Sequence, residues 1–159
     1  MATKSVEALV KDKKISEIVN PKIVQATPDI SLKQAIQIMQ ENKSGDIVIA
    51  KAKKVLGVFT ETDVAQKVLG QDVSWSKPVV EFMQLDPSLF LNINESVGKA
   101  VELMGSRLVY HIPLVNDKKE LVNVLSVRTL IRFLAEFYPT EIYNLPPAPN
   151  RVIETAEGG

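Results

Sequence analysis

The chain has 159 residues, with 19 basic and 19 acidic side chains, no cysteine and a single histidine, His111. That length suits one domain, or two small halves sharing a core, and it buries enough apolar surface to need no staple. The missing cysteines exclude disulfides, thiolate metal sites and a cysteine nucleophile; the lone histidine removes His–His metal sites, and the balanced charge argues against a duplex-binding protein.

Residues 1–20 read as an N-terminal helical segment that lacks the uninterrupted apolar stretch of a signal peptide. No run approaches the roughly 18 apolar residues of a membrane span. A cytoplasmic protein with no membrane partner and no nucleic-acid partner is therefore expected. Residues 21–74 then give an extended stretch at Lys22–Ala26 and a helix with the apolar stripe Leu32, Ala35, Ile36 and Met39. Ser31 caps that helix, and Gln34 completes a capping box. A strand over Asp46–Ile49, a lysine-rich turn at Lys51–Lys54, a strand over Val55–Thr60 and a helix from Thr62 to Leu69 follow. Residues 75–87 form a linker that docks through Val79, Val80, Phe82 and Met83.

The second half, residues 88–138, repeats the first. An offset of 65 residues carries the stripe onto Val97, Ala100, Val101 and Met104, behind Ser96. It also carries Asp46-Ile47-Val48-Ile49 onto His111-Ile112-Pro113-Leu114. One extra residue in the charged turn precedes the match of Val55–Thr60 with Leu121–Ser126, and a last helix runs from Val127 to Phe137. Each half reads strand–helix–strand–strand–helix and is too small to be stable alone. Two such units are expected to pack sheet against sheet as one α+β body with an approximate two-fold axis. Residues 139–159 form a proline-rich tail, read as an extended arm packing through Ile142, Tyr143 and Leu145.

Both hairpins end in a polar cluster entering a helix. In the first half it is Gly57-Val58-Phe59-Thr60-Glu61-Thr62-Asp63, and in the second Asn123-Val124-Leu125-Ser126-Val127-Arg128-Thr129. The first has what a ribose-phosphate site needs. Gly57 permits close backbone approach; Thr60 and Thr62 place hydroxyls at the positive end of a helix; and Asp63 can accept from two ribose hydroxyls. The same Thr-x-x-Asp pattern is also an ordinary helix cap, worth about 1 kcal/mol. Nothing resembles a catalytic constellation: there is no Cys–His pair, no carboxylate cluster at metal spacing and no Gly-x-Ser-x-Gly elbow. No catalytic residue, metal site or catalytic cofactor is expected.

The ordered set of these stretches, with His111-Ile112-Pro113-Leu114-Val115 and the lead-ins Val24–Asp29 and Phe82–Pro87, resembles a tandem of cystathionine-β-synthase-type (CBS) repeats, the Bateman module. The resemblance covers roughly Ile15 to Tyr138 and is to a stand-alone bacterial-type CBS domain protein. It implies two pseudo-symmetric clefts between the repeats that hold adenine nucleotides (AMP, ADP or ATP) or related adenosyl ligands. Carried over by position, Thr60 and Thr62 face phosphate and Asp63 holds the ribose. The base lies near Val58, Ser88 and Leu89, and Arg128 reaches across to the phosphate of the same cleft. The second cleft would involve Lys22, Ile23, Val24, His111 and Ser126. There Asn123 replaces the glycine and Thr129 the aspartate, so one occupied cleft per chain is expected. His111 reads as a structural residue at the cleft rim, or as one that points to phosphate. The implied function is a regulatory nucleotide sensor acting through a homodimer on an unidentified regulated protein, with Ala65–Leu69 and Leu130–Tyr138 as the dimer surface. A ligand-free scaffold or interaction protein is the alternative.

Overall fold

The computed structural model describes residues 5–83 and 86–137; the tail beyond Phe137 and its expected anchors lie outside them. Helix α1 (Val6–Asp12) leads in. The first repeat then runs β1 (Gln25–Ala26), α2 (Leu32–Glu41), β2 (Asp46–Lys51), β3 (Lys54–Thr60) and the single turn α3 (Glu61–Asp63), which continues as a π-helical turn over Val64–Val68. The second repeat runs β4 (Leu91–Asn92), α4 (Val97–Arg107), β5 (His111–Val115), β6 (Leu121–Ser126) and α5 (Val127–Phe137).

Each repeat forms a three-stranded sheet, in orders β1-β2-β3 and β4-β5-β6, with a parallel first pair and an antiparallel hairpin. The duplication extends to irregularities. A register shift falls between Ile49 and Ala50 in one sheet and between Leu114 and Val115, the matching positions, in the other. The helix caps also match: Ser31 Oγ accepts from Gln34 N and Ser96 Oγ from Lys99 N, both at 3.2 Å. After each helix the chain turns through a left-handed residue that is not glycine, Lys43 (φ 50°) and Leu108 (φ 52°), which costs strain that the following strand must hold in place.

The stripes bury at three of their four positions, whereas Ile36 is only half-buried and Val101 is exposed to solvent. Leu32, Ala35 and Met39 join Ile47, Ile49 and Phe59 in the first core; Val97, Ala100 and Met104 join Ile112, Leu114 and Leu125 in the second. A third cluster of Val48, Val55, Val58 and Val115, flanked by Ile23 and Phe90, fills the seam where the two sheets face each other. The result is one α+β module with a pseudo-two-fold axis.

One local expectation differs from the structure, and another is met in a different form. The second half, read as opening on a strand, does not begin uniformly extended: Pro87–Leu89 is a 3-10 turn, because Asp86 caps it by accepting from Ser88 N and proline at its first position presets φ. The helix after β3 forms as expected but changes type, from an α turn over Glu61–Asp63 to a π turn over Val64–Val68.

The lead-in segments cross over. Ile15 N donates to Glu95 O (2.9 Å) and Val97 N to Lys13 O (2.8 Å), so the N-terminal segment belongs to the second repeat's packing. Reciprocally, Val79 N donates to Ile30 O (3.0 Å) and Leu32 N to Lys77 O (2.8 Å), which seats the linker on the first repeat. Ile15 and Val79 are each fully buried, in the second and first cores respectively. Val79 and Phe82 thus dock as expected of the linker.

Candidate functional site

Two cavities open at the seam, related by the pseudo-axis. The first, of about 210 Å³, is walled by the end of β3 and start of α3 (Val58, Thr60, Thr62, Asp63) and by Leu89, Phe90 and Val109–His111 of the other repeat. The second, of about 410 Å³, is walled by the matching end of β6 and start of α5 (Val124, Ser126, Arg128, Thr129) and by Lys22, Val24 and Ser44–Asp46. Thr62, Tyr110 and His111 line both, so the clefts adjoin across that wall.

The Thr-x-x-Asp cluster forms a complete capping box. Thr60 N and Oγ1 both donate to Asp63 Oδ2 at 3.0 Å, and Asp63 N donates to Thr60 Oγ1 at 3.3 Å. Asp63 is 2% exposed, and its Oδ1 meets Lys67 Nζ at 2.7 Å, one helical turn on. Lys67 is itself oriented by the carbonyl of Phe82 at 2.7 Å, so the linker helps hold the carboxylate in place. Oδ2 has both lone pairs engaged, while Oδ1 carries the Lys67 contact alone and keeps one acceptor position.

Most of the expected positions gather as pairs of walls, and some do not. Val58, Thr60, Thr62, Asp63 and Leu89 share the first cleft; Lys22, Val24, His111 and Ser126 share the second. Arg128, expected to reach the first cleft, instead lines the second, because α5 starts from the opposite side of the pseudo-axis. Ser88 turns its hydroxyl onto Asp86 Oδ1 at 2.5 Å and does not line the first cleft; Ile23 packs into the seam. Sequence reasoning passed over Phe90, Tyr110, Lys43 and Arg132. Only the matching of Gly45 with Tyr110 across the repeats, both preceding a central strand, signals the tyrosine.

Asn123 stands opposite Leu114 as Gly57 stands opposite Ile49. It is buried, donates from Nδ2 to Asn20 O at 2.5 Å and accepts at Oδ1 from Val124 N at 2.7 Å. The second cleft therefore has a tethered side chain on its wall, whereas Gly57 is not on the wall of the first. Thr129 occupies the place of Asp63, its hydroxyl 3.1 Å from that of Ser126.

Asp46 and His111, equivalent residues of the two repeats, meet on the pseudo-axis with Oδ2 and Nε2 3.5 Å apart. Burial holds the imidazole below the usual histidine range, outweighing the pull of Asp46, Glu61 and Asp63, and the charge of Arg128 pushes the same way as burial. The unfolded chain then takes up a proton at His111 before the folded one does. Stability should fall as pH drops through the ordinary histidine range, near about 6.5, and this loss should level off below the folded value. Urea titrations of His111→Gln at several pH values should show a shallower dependence than the wild type between neutrality and mild acid; an unchanged dependence would rule out His111 as the source.

Comparison with known proteins bears on this geometry. The CBS domain profile matches the chain twice, over residues 15–70 and 77–136, one match for each repeat described above. The chain belongs to the CBS domain family. An uncharacterized 17.7 kDa protein of Acidianus ambivalens is 25% identical over 126 residues, spanning 79% of this chain and 75% of that protein. Several other curated relatives are longer, and the chain covers less than half of their length. Among solved structures, the CBS domain protein PAE2072 from Pyrobaculum aerophilum complexed with AMP superposes with a TM-score of 0.70 at 23% identity, covering 79% of this chain and 98% of that one. The CBS domain pair of protein MJ0100, in complex with 5-methylthioadenosine and S-adenosyl-L-methionine, superposes at 0.69 with 21% identity, covering 77% and 99%. At those identities the likeness establishes the CBS-pair fold. The chain is thus a CBS pair, a regulatory type of module. Among the described residues no helix is long and apolar enough to cross a membrane, and no group of His, Asp and Glu side chains is placed to hold a metal.

Proposed function

We propose that this CBS pair is a sensor of adenine nucleotides or related adenosyl compounds, with the nucleoside seated in the first cleft. The observation that carries the reading is the buried Asp63 carboxylate, fixed by Thr60 and Lys67 yet keeping one acceptor site on the wall of a cavity whose other side is apolar at Val58, Leu89 and Phe90. Base and ribose divide naturally between Val58, Leu89 and Phe90 on one side and Asp63 on the other. The AMP complex of PAE2072 and the adenosyl complex of MJ0100 support the ligand class. Binding between repeats changes how the halves meet, and it can act on a partner only by its differential affinity for two arrangements. Titration calorimetry with adenosine, AMP and ATP tests the reading: saturable binding at one per chain supports it. Absence of binding by all three favours the ligand-free scaffold, to which the capping box itself lends weight, since the cap fully explains Thr60 and Asp63 without a ligand.

Signalling in this reading passes through a two-fold homodimer, the commonest closed assembly. Leu69 (61% exposed) and Ile131 (61%) present apolar surface on the helices that follow β3 and β6, whereas Leu130 and Phe133 are buried and unavailable. Light scattering at tens of micromolar, about the range where weak dimers populate, should give twice the chain mass. Ile131→Asp should give the monomer; a monomeric wild type would defeat the proposal.

A further inference from the structure

The two clefts share a fold but not a charge. Among the described residues the first cleft's wall carries Asp63 and Asp86 and no lysine or arginine. Both carboxylates are balanced by partners set off that wall, Lys67 at 2.7 Å and Arg107 at 2.9 Å. The second cleft's wall carries Lys22, Lys43, Arg128 and Arg132 against only Asp46 and Glu61. No ion pair among the described residues engages any of these four cations, and Asp46 already faces His111. The asymmetry sits at matched positions: Lys43 stands where the first cleft has Leu108, Arg128 where it has Thr62, and Arg132 where it has Gln66. Gathering four unpaired cations around one cavity is repulsive and gives the fold nothing in return, whereas a polyanion would relieve it. Recognition of an adenosine is meanwhile stripped out of this cleft. Asn123 is tied to Asn20 and Val124 on this wall, and Thr129 supplies no carboxylate for ribose.

We propose that the second cleft is a phosphate site, built for a compact anion with two or more phosphate groups and held by Arg128, Arg132, Lys22 and Lys43 without nucleoside recognition. Arginine suits the task through its forked donors. The phosphates can belong to a free compound. They can equally be the chain of a nucleotide whose nucleoside sits in the first cleft, passing Thr62 and His111 on the shared wall; that source, unlike the first, rests on the reading given under Proposed function.

Pyrophosphate, adenosine and ATP, titrated separately into the full-length wild type and an Arg128→Ala/Arg132→Ala double variant, test the proposal. Both arginines are exposed and repel their neighbours, so the variant should unfold at no lower a temperature than the wild type and keep its adenosine affinity. Pyrophosphate should bind the wild type better than about 1 mM and lose at least about tenfold in the variant. Its affinity should also fall steeply with added salt, as expected when several cations are neutralised together. ATP that displaces both adenosine and pyrophosphate identifies one bridging molecule; pyrophosphate that stays bound beside ATP identifies a free compound, and either supports the site. Equal pyrophosphate affinity in the two proteins, or none measurable in the wild type, overturns it. Failure of both adenosine and ATP to bind while pyrophosphate still binds would instead count against the reading of the first cleft and leave the free-compound form of this one intact.

Discussion

Replacing Asp63 by asparagine is expected to weaken adenosine binding by about tenfold to a hundredfold, the loss of at least one charge-assisted hydrogen bond worth about 1.5–3 kcal/mol. Asparagine keeps an oxygen for the Thr60 cap, so the start of α3 should survive. The ion pair to Lys67 goes, but that lysine is one-third exposed and can turn to water, which limits the damage to folding. The matching change Thr129→Ala removes no carboxylate and should leave adenosine affinity unchanged. Calorimetry alongside thermal unfolding separates the two effects. Equal affinity in Asp63→Asn and wild type would return the Thr-x-x-Asp cluster to a purely capping role.

Phe59→Ala should cost about 3–5 kcal/mol, a large share of the roughly 5–15 kcal/mol that holds a domain of this kind together. Phe59 is fully buried in the first core, one residue before the Thr60 cap, against the stripe of α2 and the docked linker. Truncating it opens a cavity that two strands paired on the same sheet cannot easily collapse to fill. Urea unfolding followed by circular dichroism should show a lowered midpoint with a single transition, because the valine seam joins the halves. A loss under about 1 kcal/mol would mean that the site relaxes freely and that the first core is looser than its burial suggests.

What the sequence discloses about this molecule follows from the range of the interactions involved. Helix stripes, serine caps and hairpins depend on residues a few positions apart, so Leu32–Met39 and Val97–Met104 announce their own helices and, by matching, the duplication. The capping box of Thr60 and Asp63 is local in the same sense, which is why the pattern suggests both a cap and a ligand site and does not choose between them. Arg128 is different. Which cleft a residue at the head of α5 lines depends on the side from which that helix approaches the axis, and nothing within ten residues of it records that. Tyr110 and Phe90 escape notice for a related reason: each precedes a strand and meets the first cleft only once the opposite repeat is in place. The π turn over Val64–Val68 has no pattern of its own; its apolar residues read as a helix of either kind.

The crossed lead-in segments set an order on folding. Lys13–Ile15 leaves the ribosome ahead of both repeats, yet its hydrogen-bonding partners Glu95 and Val97 lie beyond the entire first repeat. The first repeat in turn stays open at Leu32 until Lys77 and Val79 have been made. Neither half of the duplicated sequence is therefore a folding unit during synthesis. Closure of such distant contacts comes late and carries an entropic cost that local contacts do not share. A nascent chain halted near Gly70 would hold a helix and a hairpin with part of their apolar face uncovered, and the module can settle only when α4 has emerged.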